Sequence, residues 1–245
     1  MNKKTKQPET KTEFVKTLII ALLLAGLVRS FLFEPFHIPS SSMKPNLLIG
    51  DYLFVAKYSY GYSRYSFPFG FDLFEGRFWK KHQPQRGDIA VFRLPSNPNI
   101  NYIKRIIGLP GDQIQMQEGV LHINGAEVSK VVDGVFSDDD SAIKNETRKF
   151  LETLPEGKVV TILDQENTPQ DDTGIYEVPE GHYFMMGDNR DNSQDSRFLD
   201  HVGYVPEQNL VGRATIIFIS CSKPVWQFWN WPSSIRFNRM FHKVS

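Results

Sequence analysis

From Phe14 to Phe33 the chain reads FVKTLIIALLLAGLVRSFLF, twenty residues with only two charges, Lys16 and Arg29. As an α-helix this stretch is about 30 Å long, the thickness of the hydrocarbon core of a bilayer. No second stretch is long and apolar enough to do the same, so the chain reads as a single-pass protein. The strictly uncharged part, Thr17 to Val28, is twelve residues, and Lys16 and Arg29 are expected to reach toward the two interfaces. A basic start and a short apolar core also fit a cleavable signal peptide. Against that reading, Arg29, Phe31, Leu32 and Phe33 stand where a small-x-small cleavage site belongs. An uncleaved anchor is the better account. The lysines at 3, 4, 6 and 11 then favour a cytoplasmic tail over residues 1–13, with Glu34 onward on the outer face.

The region 34–245 is long enough for one sizeable domain. Its short runs of β-forming residues include Asp51–Ala56, Asp88–Leu94, Asn101–Ile107, Val120–Asn124 and Val211–Ser220. Turn signals such as Arg86-Gly87-Asp88, Pro110-Gly111-Asp112 and Asn124-Gly125 bound them. The expected fold is therefore mainly β, an antiparallel domain behind a single transmembrane helix. Two segments look like additions to it: an aromatic-rich extension over 58–86 and a polar secondary β subdomain over about 113–179. A short helix is expected around Ser141 to Thr153, and the acidic triplet Asp138-Asp139-Asp140 reads as a solvated loop. Ten of the 22 residues from Tyr58 to Trp79 are aromatic, which suits either a membrane-interface loop or an aromatic satellite core. Trp226, Trp229 and Trp231 suggest a second interfacial patch. Basic and acidic residues balance at 28 each, so no nucleic-acid surface is indicated. A lone cysteine, Cys221, excludes an intrachain disulfide and a cysteine zinc site, and reads as a small buried hydrophobe.

Three polar segments could carry chemistry. Directly after the anchor comes Phe36-His-Ile-Pro-Ser-Ser-Ser-Met-Lys-Pro45, with three candidate nucleophiles. A serine hydroxyl needs a base within hydrogen-bonding reach. No Gly-x-Ser-x-Gly elbow is present, and His37, His122, His182 and His201 lie in settings that suit structural or exposed histidines. Lysine can serve instead if burial lowers its pKa from about 10.4. Ser41-x-x-Lys44 needs a helical turn that Pro45 disfavours. The other candidate is Lys104, in Tyr102-Ile-Lys-Arg-Ile-Ile-Gly-Leu-Pro-Gly-Asp112, where strand alternation puts it on one face with Tyr102 and Ile106. By itself such a lysine more often reaches solvent. The third segment, Met186-Gly-Asp-Asn-Arg-Asp-Asn-Ser-Gln-Asp-Ser-Arg197, reads on its own as a polar turn and lacks the pattern of a calcium loop.

Together with Arg86-Gly-Asp-Ile-Ala-Val-Phe92, these ordered segments resemble the type I signal peptidases, membrane-bound Ser/Lys proteases of bacterial secretion. The resemblance implies Ser42 as nucleophile and Lys104 as general base, with the Ser42 N–H and the Ser40 hydroxyl as oxyanion hole. It further implies that Ser193 orients the lysine, that Asp195, Arg197 and Arg105 form a supporting ion-pair network, and that Phe36, Ile38 and Ile103 line substrate pockets. No metal or cofactor is implied. The implied partners are preprotein signal peptides, membrane lipid and nearby secretion machinery; the implied place is the outer face of the bacterial cytoplasmic membrane. Asn46 departs from the family, which usually has Thr or Ala there. Two rival readings keep the scaffold: a Ser/Lys protease dedicated to one pilus or conjugation substrate, and an inactive membrane-anchored assembly protein.

Overall fold

A computed structural model of the chain describes residues 11–67, 76–80, 82–137, 146–165, 168–224 and 226–244. Helix α1 (Lys11–Phe31) carries the apolar stretch, and its mean hydropathy of 2.0 over eighteen residues is that of a candidate membrane span. Leu18, Ile20 and Leu22 to Leu24 stand exposed on it, as a helix facing lipid requires. Only Leu32 separates α1 from β1 (Phe33–His37), which leads through the serine segment into β2 (Asp51–Ala56).

This junction is braced. The Tyr62 hydroxyl donates to Phe31 O at 2.7 Å, and the Phe31 ring packs edge-on against Tyr62 and Phe67. Glu34 pairs with Arg29 at 2.9 Å and with the buried Lys57 at 2.7 Å. Burial pushes the Lys57 ammonium pKa below its usual value, against the pull of Glu34. The short pair β3 (Tyr62–Ser63) and β4 (Arg77–Phe78) completes this side. The described part of the aromatic stretch is thus a cluster at the foot of the helix, with Tyr60 and Tyr62 buried and Trp79 73% exposed. Residues 68–75 lie outside the described set.

A hairpin of β5 (Ile89–Leu94) and β6 (Asn97–Gly108) follows. The chain then makes β7 (Gln113–Gln117), β8 (Val120–Ile123), β9 (Ala126–Glu127), β10 (Ser129–Ser137), β11 (Glu146–Thr153) and β12 (Val159–Asp164). It returns through β13 (Tyr176–Glu177), β14 (His182–Met186), β15 (Val205–Pro206) and β16 (Leu210–Ser220). The main sheet has seven strands in the order β1-β2-β16-β5-β6-β14-β15, with each neighbouring pair antiparallel among the described residues. Two smaller sheets, β13-β7-β8-β9 and β10-β11-β12, stand beside it. The mainly β antiparallel fold expected behind the apolar helix is present.

One expectation fails. Glu146–Thr153 is not helical: it is β11, paired with both β10 and β12. Glu, Arg, Lys and Leu make this stretch composed like a helix, but every second side chain from Lys149 turns to different surroundings, with Phe150 and Glu152 buried. Two flanking strands satisfy its backbone and override local propensity. Residues 141–145 of the expected helix are outside the described set.

The core that bears on function lies under the serine segment. Ile38, Met43 and Leu47 are buried with Leu53, Val55, Ile89, Val91 and Ile103. Three apolar anchors within ten residues, each contributing about 2 kcal/mol on burial, hold a segment that has no regular secondary structure. Gly50 ends it at φ +86°, where a side chain would drive into the carbonyl oxygen of Cys221. Cys221 itself is buried.

Candidate active site

The main sheet curls until the segment leaving β1 meets β6, although three strands separate them in the sheet order. That brings Ser42 and Lys104 together from 62 positions apart: Lys104 Nζ lies 2.7 Å from Ser42 Oγ. Lys104 is 4% exposed and Ser42 7%. The amine also donates to Ile103 O at 3.1 Å and lies 5.2 Å from the centre of the Tyr102 ring.

Such surroundings penalise an ammonium ion. Burial pulls the Lys104 pKa down to about 8, the carboxylates of Asp195 and Asp188 oppose the fall, and the Arg197 guanidinium adds to it. A fall of that size corresponds to about 3 kcal/mol of lost preference for the charged form. At neutral pH about a tenth of the molecules then hold a free amine. In that state the lone pair is available to the Ser42 hydroxyl proton, which is what a general base requires.

The Gly187–Arg197 segment fastens these groups in place. Asn189 N–H donates to Ser42 O at 3.0 Å and its side chain to Ser41 O at 3.1 Å. Asn192 Nδ2 donates to Ser41 Oγ at 2.8 Å. Gly187 leaves no room for a side chain: a Cβ there would meet Ser193 and come within 2.6 Å of Ser42 O. Arg190 forks onto Glu152 of β11, with both partners buried, and the Arg190 carbonyl accepts from Arg197 Nη2.

Two ion pairs stand near the lysine. Arg105 forks onto Asp188 at 2.7 and 2.8 Å, and Arg197 binds Asp195 through Nε and Nη2, each at 2.9 Å. Burial alone would raise the Asp195 pKa, but Arg197, the Gly187 N–H and Ser193 bring it below its ordinary value. The Ser193 hydroxyl is buried and faces this carboxylate without meeting hydrogen-bond geometry. The structure does not bring it into a hydrogen bond with Lys104. Ser40 Oγ lies 3.4 Å from Ser42 Oγ, and among the described residues the Ser42 N–H has no protein acceptor.

A groove of about 740 Å³ opens over the pair, and Phe36, Ile38 and Ile103 all line it. It runs between the end of β1, an outer strand of the sheet, and the part of β6 before Arg105, which β14 leaves uncovered. The sequence alone did not single out Asp188, Asn189 or Asn192, and marked Asn46 only as a departure from the family. Asp188, Asn189 and Asn192 sit inside the segment already singled out, but eleven polar or small residues in a row do not say which ones turn inward.

An apolar anchor feeding a β scaffold, with a serine set against a buried lysine in an open groove, has the plan of a membrane-bound serine endopeptidase. Residues 11–219 match the family model described as "Signal peptidase, peptidase S26". The chain is 38% identical to the signal peptidase I of Rickettsia typhi, over 98% of this chain and 96% of that protein. It is 39% identical to that of Rickettsia akari, over 99% and 94%. A solved signal peptidase I from Enterococcus faecalis V583 is 30% identical, with 54% of this chain and 97% of that chain covered and a TM-score of 0.31. The chain belongs to the signal peptidase family.

Proposed function

We propose that this protein is a membrane-bound serine endopeptidase that removes N-terminal signal peptides from exported preproteins, with Ser42 as nucleophile and Lys104 as general base. The observation that carries the reading is the 2.7 Å contact between a buried lysine amine and a serine hydroxyl at the floor of an open groove. In the reaction the Lys104 amine takes the Ser42 proton as Oγ attacks the scissile carbonyl. The resulting ammonium then returns the proton to the departing amine. The Ser42 N–H and Ser40 hydroxyl are assigned to the developing oxyanion, each such donor being worth about 3 kcal/mol. Asp195, Arg197 and Arg105 hold the lysine strand and its neighbour loop in register, and Ser193 is assigned the role of orienting the lysine.

An extended peptide adds to the uncovered strand edges beside the groove, backbone bonds giving affinity and alternate side chains specificity. Phe36, Ile38 and Ile103 leave shallow apolar pockets suited to small residues at the first and third positions before the cut. In this reading the N-terminal tail is cytoplasmic and the groove stands at the outer face of the bacterial cytoplasmic membrane, within reach of lipid and of the secretion machinery. The test is cleavage of several unrelated preproteins by the full chain in detergent micelles. Lys104→Ala and Ser42→Ala are each expected to lower cleavage by about 10⁴-fold or more while the protein stays folded. Retained activity in either variant would remove the dyad. Cleavage of one preprotein alone would favour a dedicated protease.

A further inference from the structure

Asn46 stands on the turn that begins at Ser42, and both hydrogens of its amide are in use. Nδ2 donates to Asp188 Oδ2 at 2.7 Å and to Thr161 O on β12 at 2.7 Å. Asp188 is itself 1% exposed and accepts the Arg105 fork on both oxygens. Its neighbour Asn189 returns a backbone bond to Ser42 O. The contacts therefore close a ring: from Ser42 along the turn to Asn46, across to Asp188, and back through Asn189. A second ring shares the Asp188 edge and runs through Arg105 to the adjacent Lys104, then to Ser42 Oγ. Asn46 is the side chain that ties the serine turn to the carboxylate anchoring the lysine strand.

We propose that Asn46 is a positioning residue: acting through Asp188, it sets the placement of Ser42 against Lys104 and the charge that Lys104 experiences. This rests on the Ser42–Lys104 reading above. A buried carboxylate deprived of one of its donors either moves or keeps an unneutralised field. The groups that face Lys104 are the Asp195 and Asp188 carboxylates and the Arg197 guanidinium, with Ser42 at hydrogen-bonding distance and the Tyr102 ring 5.2 Å away. Of these, Asp188 is the one Asn46 touches. Less neutralisation of Asp188 makes Lys104 hold its proton more tightly, so the free-base form appears at higher pH.

The experiment measures kcat, KM and their pH dependence for preprotein cleavage by the full chain in micelles, with wild type, Asn46→Ala and Asn46→Asp. Asn46→Ala is expected to lower kcat about tenfold, the equivalent of one charge-assisted hydrogen bond, with little change in KM. Its acid limb should move to higher pH. Asn46→Asp puts a second carboxyl against Asp188 and should move that limb further, by about one pH unit. Lower thermal stability with an unmoved limb would mean a merely structural residue and overturn the proposal. So would variants that match wild type. If Asn46→Asp does not fold, the limb of Asn46→Ala decides alone. Wild type that leaves the preprotein intact, or Ser42→Ala that still cuts it, removes the dyad and this inference together; wild-type cleavage with an unmoved limb removes only the inference.

Discussion

At the scale of single residues, the proposed mechanism turns on how much it costs Lys104 to carry its charge. A base with a pKa of about 8 is mostly protonated at neutral pH and mostly free above it. Cleavage, followed as kcat/KM, is therefore expected to rise with pH and level off beyond an apparent pKa of about 8, because only the neutral amine can accept the Ser42 proton. A limb near pH 6 instead would point to a histidine. Part of this was legible beforehand: alternation put Lys104 on a face with Tyr102 and Ile106, but a lysine so placed more often reaches solvent, and it was the resemblance that singled it out. The partners were not. Asp188 and Asn46 lie 142 positions apart, and nothing in the spacing of either announces the other. The same holds for Arg105, whose fork lands on Asp188. The resemblance set Arg105 with Asp195 and Arg197, and only the path of the backbone gives it Asp188 instead.

Among the elements, the joint between α1 and β1 is the one whose energetics are most exposed to test. Lys57 is buried, its ammonium held by Glu34 and by the Ser66 carbonyl at 2.6 Å. Glu34→Gln leaves that ammonium without its counter-charge and is expected to destabilise the protein by about 3 kcal/mol, whereas adding Lys57→Met should recover most of the loss. Denaturant titration in micelles measures both; equal stability of Glu34→Gln and wild type would mean that Lys57 finds water instead. The strands β2, β5, β8 and β16 were readable from β-branched and aromatic runs between turn signals. Strand β11 was not, because Glu146 to Thr153 has the composition of a helix and becomes a strand only between two neighbours. Nor was the place of β16 between β2 and β5, a long-range pairing that local patterns do not encode.

For the whole molecule the proposed orientation can be tested directly. The basic tail argues for the cytoplasm and the groove for the outer side. In a Cys221→Ala background, a cysteine introduced as Lys223→Cys should react with a membrane-impermeant maleimide in intact cells, while Lys4→Cys should react only after lysis. The reverse pattern would invert the proposed orientation. The native thiol is a poor reporter, being 2% exposed. Exposed Trp226, Trp229 and Trp231 near the C-terminus and Trp79 near the helix foot are suited to headgroup depth. The single residue between α1 and β1 has a further consequence. With no slack in the tether, the groove of the proposed peptidase travels, turns and tilts with its helix, so enzyme and a signal peptide lodged in the same bilayer are expected to search for each other in two dimensions. Their encounter rate then follows crowding per unit of membrane area, and dilution with lipid slows it where dilution with buffer does not.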